Sequence, residues 1–206
     1  MGDMVTLVIP TDAPVLHGPP QGRWTISDWE KLPDDGNLYE IIEGVLYMST
    51  SPSNFHQWIS RRLDKYLGMV AEDQGLGFAS TAPGGVIMPG CDPVQPDFAF
   101  VIKDRAEIIR DRKIYGVPDL IIEVLSPSNR SYDEEVKLQA YANAGVPEFA
   151  LIDPSARRLR LFTLKERGVY GESNDFESTQ SVTFKCLPTI PLEIAKLFEG
   201  APDPTP

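Results

Sequence analysis

QPDFAFVI (residues 95–102) and PDLIIEVLSPSNRSYDEEVKLQAYANAG (residues 118–145) together decide how this chain folds. Each contains a short apolar run, Phe98–Ile102 and 120–125, bounded by Pro or Ser and apolar without alternation. That pattern predicts strands of a sheet covered on both faces. Asp97 stands at the start of the first run and Glu123 lies inside the second. A carboxylate in such a run is costly to bury unless positive charge meets it. A helix follows. Ser131 with Glu134 three residues on reads as a capping box, so the helix is expected to start near Tyr132. At about 100° per residue, Val136, Leu138, Ala140, Tyr141 and Ala144 gather into one apolar arc. Lys137 falls at the centre of that arc, away from Glu135, Gln139 and Asn143. Asp133 and Glu134 also project toward the arc, in the first turn, where negative charge suits the helix dipole. One reading of Lys137 is a side chain that snorkels outward or pairs with a structural acid. The other is that two carboxylates and a lysine from adjacent elements form a site for a hard cation and a phosphate.

The 206 residues predict one domain, from 23 to 199, with a flexible arm over 1–22 and a tail over 200–206. Apolar and charged fractions of 42% and 24% are those of an ordinary soluble chain. No apolar run reaches membrane-spanning length, and no basic-then-apolar leader precedes a cleavage site, so a cytoplasmic protein is expected. Cys91 and Cys186 have no metal-ligand spacing and read as free thiols. The net charge of −11 and pI near 4.6 argue against a nucleic-acid binder, which is usually basic. Local clusters qualify that argument. Lys103, Arg105, Arg110, Arg112 and Lys113 crowd one segment, interleaved with Asp104, Glu107 and Asp111, and Arg157, Arg158 and Arg160 crowd another. They read either as phosphate contacts or as solvated surface.

Elsewhere, Ser27 and Glu30 read as a second capping box, for a short helix over 28–32 anchored by Trp24 and Trp29. Residues 38–48 read as a β-hairpin turning at Glu43-Gly44. Glu43 is a turn acid or a residue facing the site, and Glu40 is a weaker candidate of the same kind. A helix is expected over 54–70, with Phe55, Ile59, Leu63, Leu67 and Val70 as its apolar stripe and Arg61, Asp64 and Lys65 away from it. His56, in its first turn, either packs there or contacts a phosphate or water. Residues 75–91 predict strands joined by turns and hold no nucleotide-binding glycine pattern. Gly145 is placed to end the Lys137 helix. Residues 149–152 and 158–162 predict strands, with Asp153 a structural turn acid. A loop over 168–180, a strand over 181–187 and a short helix over 191–199 follow.

The ordered set of motifs, PD, then EVLSPS, then KLQAYANAGV and IDP, with YEIIEGVLYMS and SPSNFHQ upstream, resembles the Uma-type endonuclease family. That family belongs to the PD-(D/E)XK, or restriction-endonuclease-like, superfamily, and the resemblance covers roughly residues 24–165. It implies an α/β (α+β) fold with a central mixed sheet flanked by helices and an N-terminal β-hairpin extension. It implies Asp97 and Glu123 as metal-binding acids, the Val124 carbonyl as a further ligand, and Mg²⁺ or Mn²⁺ as cofactor. The superfamily's usual lysine position is Leu125 here, and the resemblance implies that the lysine has moved to Lys137. The implied activity is hydrolysis of phosphodiester bonds in nucleic acid, DNA above all, by a homodimer or larger assembly. Two other readings stand beside it: a nuclease fold kept as an interaction or assembly module after loss of catalysis, and an acidic hydrolase for a small phosphorylated substrate.

Overall fold

Pairing of the two apolar runs builds the centre of the molecule. In the computed structural model, which describes residues 16–111, 113–127 and 130–201, Phe98–Ile102 lies antiparallel to Leu120–Val124. Phe98 stands opposite Ile122, and Phe100 opposite Leu120. Leu120–Val124 in turn runs parallel to Glu148–Asp153. The central sheet reads, edge to edge, Val169–Tyr170, Arg158–Glu166, Glu148–Asp153, Leu120–Val124, Phe98–Ile102 and Gly77–Thr81. Asn174–Glu177 also pairs with Arg158–Glu166. Every residue of Leu120–Val124 and of Glu148–Asp153 is buried, as unbroken apolar runs require.

Strand alternation divides these residues between two cores. Phe98, Phe100, Leu120, Ile122, Ala150 and Ile152 pack with the long helix over 54–73 and the C-terminal segment. Ala99, Val101, Ile121, Phe149 and Leu151 pack with the helix Leu138–Ala144 and with a second sheet. That second sheet orders Val45–Ser49, Leu38–Ile42, Cys91–Val94, Gly85–Met88, Lys113–Tyr115 and Ile109–Arg110. The expected hairpin forms its edge. Glu123, two residues from Ile121, therefore faces the helix that carries Lys137.

Both helices beside the sheet contain a widened turn. The first is α-helical over Asn54–Leu63, π-helical over Asp64–Gly68 and α-helical again over Met69–Asp73. Gly68 lies where this helix meets the sheet: a Cβ there would stand 2.9 Å from Ala79 Cβ and 3.1 Å from Phe98 Cε2. The second is π-helical over Tyr132–Lys137 and α-helical over Leu138–Ala144. It ends at Gly145 with φ 96°.

Several local expectations are corrected. Ser131 is already helical (φ −63°, ψ −35°) and makes no side-chain cap, because Glu134 accepts from Arg130 at 3.1 Å and from Arg160 instead. The first short helix spans Ile26–Trp29, and its capping acid is Asp28, whose Oδ2 accepts from Thr25 N and Oγ1 at 3.1 and 2.7 Å. The stretch 181–187 is not one strand: it turns at Lys185-Cys186 to give the hairpin Ser181–Phe184 and Leu187–Glu193. The last helix shortens to Ile194–Phe198. The polar stretch 168–180 contains the strands Val169–Tyr170 and Asn174–Glu177, since edge pairing uses backbone groups and needs no apolar run. Residues 16–22 of the expected arm are tied to the hairpin by Gln21, whose amide brackets Leu46 N and O at 2.7 and 3.2 Å. Expectations for residues 1–15, Arg112, the Ser128-Asn129 part of the motif and 202–206 fall outside the described residues. Cys91 and Cys186 are free thiols, and no described helix is long and apolar enough to cross a membrane.

Two glycines should respond differently to alanine. Gly145→Ala meets no atom within 4 Å, so only the left-handed backbone opposes it, at about 1–2 kcal/mol. Gly68 has a helical φ of −62°, so Gly68→Ala is opposed by overpacking against Asp64, Ala79 and Phe98 alone, at about 1–3 kcal/mol. Urea unfolding of both variants measures this; a Gly68→Ala protein as stable as wild type would show that the close helix–sheet approach is not required.

Candidate active site

Where the two central strands leave each other, each strand's acid is held by the other strand's backbone. One step beyond the Phe98–Ile122 pair, Asp97 comes level with Glu123. Val124 N donates to Asp97 Oδ2 at 2.7 Å, and Asp97 N donates to Glu123 Oε2 at 3.3 Å. In an extended strand a residue's N–H and C=O leave on the same side, so the Val124 carbonyl is directed toward Asp97 as well. His56, from the first turn of the long helix, places Nε2 3.1 Å from Asp97 Oδ2. Its position is fixed locally: Ser53 Oγ accepts from His56 N at 3.2 Å and caps that helix. His56 Nδ1 is buried and has no hydrogen-bond partner among the described residues.

Lys137 enters from the opposite side. Its side chain is only 6% exposed, and Nζ lies 2.9 Å from Glu123 Oε1, 3.1 Å from Glu40 Oε2 and 3.7 Å from Asp133 Oδ1. Tyr141 OH donates to the same Glu123 oxygen at 2.8 Å. Glu40 comes from the hairpin and is fixed by three donors: Gln95 N (2.6 Å) on one oxygen, Tyr132 OH (3.0 Å) and Lys137 on the other. The Tyr132 ring also lies beneath the ammonium, 5.2 Å from Nζ.

These groups line a cavity of about 540 Å³ bounded by the hairpin end, the long helix and the turn at Thr81–Pro83. Glu40, His56, Asp97, Glu123, Val124, Asp133 and Lys137 all reach it. Its rim carries the hydroxyls of Ser49, Thr50, Ser51 and Ser53 together with Arg61.

Four carboxylates, Glu40, Asp97, Glu123 and Asp133, thus face one lysine and one histidine. Burial pushes the Glu123 carboxyl up to about 8; the Lys137 ammonium pulls it down, while Asp97, Asp133 and Glu40 push it further up. Burial likewise lifts Asp133 to about 7 against the pull of Lys137. Burial alone would lower His56, but the Asp97 carboxylate and the Val124 backbone outweigh it and raise the imidazole above its usual value. Lys137 is held well above the usual lysine range, because Glu123, Glu40 and Asp133 outweigh its burial.

The structure brings together Asp97, Glu123, Lys137, His56 and Val124 from the sequence reading. It does not bring Glu43. That residue occupies the hairpin turn with φ 50°, is exposed, donates its N–H to Gly90 O at 2.8 Å, and is not among the cavity residues. Hairpin alternation turns Glu40 inward instead. Asp133, Tyr132 and Tyr141 join the site from outside that set; the i, i+4 spacing of Asp133 and Lys137 is the sequence signal for one of them.

Among the described residues, no member of either basic cluster of the sequence lines the cavity. Arg105 is consumed by Asp119 (2.7 Å) and the Val117 carbonyl (2.7 Å), Arg158 by Asp175 (3.3 Å), and Arg160 by Glu134. Among the described residues, Lys137, Arg61 and His56 are the basic side chains that line it. Among the described residues, no three His, Cys, Asp or Glu side chains form a ready-made cation cage.

No curated protein matches the chain. Among solved structures, a protein from Anabaena variabilis ATCC 29413, titled a "putative nuclease", matches with a TM-score of 0.71. The match covers 84% of this chain and 97% of that one at 22% identity, so the likeness is one of fold. The mixed α+β architecture, with its sheets flanked by few helices, is that fold. The model of the Uma2 family, described as "Putative restriction endonuclease", matches residues 26–195. That span contains the hairpin, both central strands and the Lys137 helix, and the chain belongs to the Uma2 family.

Proposed function

We propose that this protein is a divalent-cation-dependent endonuclease that hydrolyses phosphodiester bonds of nucleic acid, DNA first among them. The observation that carries this reading is the meeting of Asp97, Glu123 and Lys137 at the wall of one open cavity. Asp97, Glu123 and the Val124 carbonyl offer hard oxygen donors on one wall of the cavity. A divalent cation fits that set. Mg²⁺ is ordinarily held by one or two carboxylates, waters and substrate phosphate rather than by a full protein cage, in keeping with the lack of a three-side-chain cluster among the described residues. When bound by these groups, Mg²⁺ or Mn²⁺ supplies a Lewis acid that polarises phosphate and acidifies water.

The remaining steps fall to the chain's own residues. Hydrolysis forms a bond from a water oxygen to phosphorus and breaks the bond to the leaving sugar oxygen, which ends protonated. Lys137 places a desolvated point charge beside the acids, where negative charge grows on the phosphoryl oxygens; such a charge acts more strongly out of water. Glu40 and Asp133 hold that ammonium against rotation. Val124 N and His56 fix the orientation of Asp97. Cutting two antiparallel strands suits a two-fold pair of sites, so association into a homodimer accompanies this reading; light scattering that finds only monomer at micromolar concentration removes it.

Cleavage of plasmid and single-stranded DNA with added Mg²⁺ tests the proposal, with Asp97→Ala as the inactive control. Lys137→Met should lower the rate by about a hundredfold or more, as loss of one preorganised donor does. It should also lose roughly 3–5 kcal/mol of stability, because three buried carboxylates lose their partner, and Mg²⁺ should restore part of that. A Lys137→Met protein that cuts like wild type removes the lysine from the chemistry. Wild type that cuts nothing, with Lys137→Met still losing that stability, favours the assembly-module reading.

The same cluster sets a pH dependence. Glu123 and Asp133 bind protons more tightly in the folded chain, at about 8 and about 7 against ordinary values of 4.5 and 3.8. Native protein then holds more protons than unfolded, so stability should fall as pH rises between about 4 and 8. The raised His56 acts in the same sense, its contribution being lost as pH rises through its folded value. Melting should therefore occur at lower temperature near pH 8 than near pH 5.5, and Glu123→Gln should flatten the difference. Equal melting temperatures at both pH values would show that these acids are not proton-linked to folding.

A further inference from the structure

An acidic chain in which several clustered arginines are paired with carboxylates must still hold a polyanion at its cavity. The long helix carries the means. Trp58, Arg61, Arg62, Lys65 and Tyr66 share neighbouring rows of that helix at spacings of three and four residues. Lys196 joins them from the last helix. Arg61 lies 5.6 Å over the Trp58 ring, Arg62 5.4 Å over Trp58 and 5.0 Å over Tyr66, and Lys65 and Lys196 5.2 and 5.5 Å over Tyr66. Arg62 is the fixed member, donating to the Lys196 and Glu199 carbonyls at 2.8 and 3.0 Å.

The charges in this row are not equally free. Arg62 also meets the Glu199 carboxylate at 3.5 Å, and Lys196 is paired with Glu193. Arg61 and Lys65 are exposed and form no ion pair among the described residues. Two like charges at i, i+4 oppose the helix unless an anion from outside meets both. Arg61 also lines the cavity, beside Gln57 and Ser60 of the same helix, so the row continues directly from the site.

We infer that this helix face, from Arg61 at the cavity mouth to Lys65 and Tyr66, is the track on which the phosphate backbone of single-stranded nucleic acid lies as it leaves the cavity. The inference rests on the nuclease reading for the identity of the anion. Single strands are the class that fits. From Trp58 to Tyr66 the helix rises about 12 Å, a path one row wide. Rows of aromatic rings and cations are the way proteins hold single strands. A duplex presents charge on two strands, and Arg105, Arg158 and Arg160 are already taken by Asp119, Asp175 and Glu134.

Fluorescence anisotropy of a labelled oligothymidine, titrated with the full chain across a salt series, tests the track. The double variant Arg61→Ala/Lys65→Ala should weaken binding tenfold or more. Its salt slope should be shallower by about 1.4, at about 0.7 per lost phosphate contact on a single strand. Lys103→Ala/Lys165→Ala removes the same charge from exposed positions elsewhere and should leave affinity and slope near wild type. Unchanged affinity in the first variant, equal loss in both, or tighter wild-type binding to duplex would each overturn the inference. The two readings fail separately. Strand binding that depends on Arg61 and Lys65 without any cleavage removes the nuclease and leaves the track; cleavage that persists with full strand affinity in the first variant removes the track and leaves the nuclease.

Discussion

A buried ammonium among three carboxylates is the constraint on which the rest of the structure depends. Lys137 meets Glu123 of the central sheet, Glu40 of the hairpin and Asp133 of its own helix. None of the four tolerates burial alone, since an isolated charge out of water is far more costly than any single packing contact. The three elements must therefore arrive together. Breaking one partner leaves the others uncompensated, which is the more severe case for a buried ion pair. The hairpin is thus not an ornament on the sheet: Glu40, with Gln95 and Tyr132 fixing it, completes the charge balance of the centre.

Much of this was legible in the chain. The runs at 98–102 and 120–125 announced central strands because uniform apolar sequence has no other inexpensive place. Lys137 stood out because a lysine at the centre of an apolar arc needs a partner. Other features were not legible, for identifiable reasons. Hairpin alternation puts Glu40 and Glu43 in play but does not say which sheet face will be covered, and Glu43 lies in the turn itself, where its backbone is spent on Gly90. Asp133 in the first turn is accounted for by the helix dipole alone, which hides its i, i+4 relation to Lys137. Neither expected capping box forms, because other partners take its place: Arg130 and Arg160 hold Glu134 away from Ser131, and Thr25 with Asp28 caps the first short helix.

Net charge was the poorest guide to the site. A value of −11 describes the whole chain, yet the basic residues differ in whether their charge is available. Arg105, Arg130, Arg158 and Arg160 neutralise named carboxylates, so their crowding in sequence creates no positive field. Arg61 and Lys65, unremarkable in composition, retain theirs. Field at a surface follows unpaired charge and its placement, not the sum over the chain.

The two widened helical turns fit the same logic. A π turn is rare and appears mostly where function or packing holds it. Here one spans Tyr132–Lys137 and the other Asp64–Gly68, and each lies in a helix that faces the cavity. In the first, the widened turn carries Tyr132, Asp133 and Lys137 at the Glu40–Glu123 cluster; with Glu134 held by Arg130 and Arg160, ion pairs and hydrogen bonds at four of its six positions offset the poorer backbone geometry. In the second, Gly68 closes the turn against Ala79 and Phe98, while Asp64, at its start, reaches the cavity wall. Regular helices in both places would move Lys137 and Asp64 around the helix axis relative to their neighbours. The irregularities are therefore part of how the sequence aims its charged groups, and the packing of both helices on one sheet keeps them aimed.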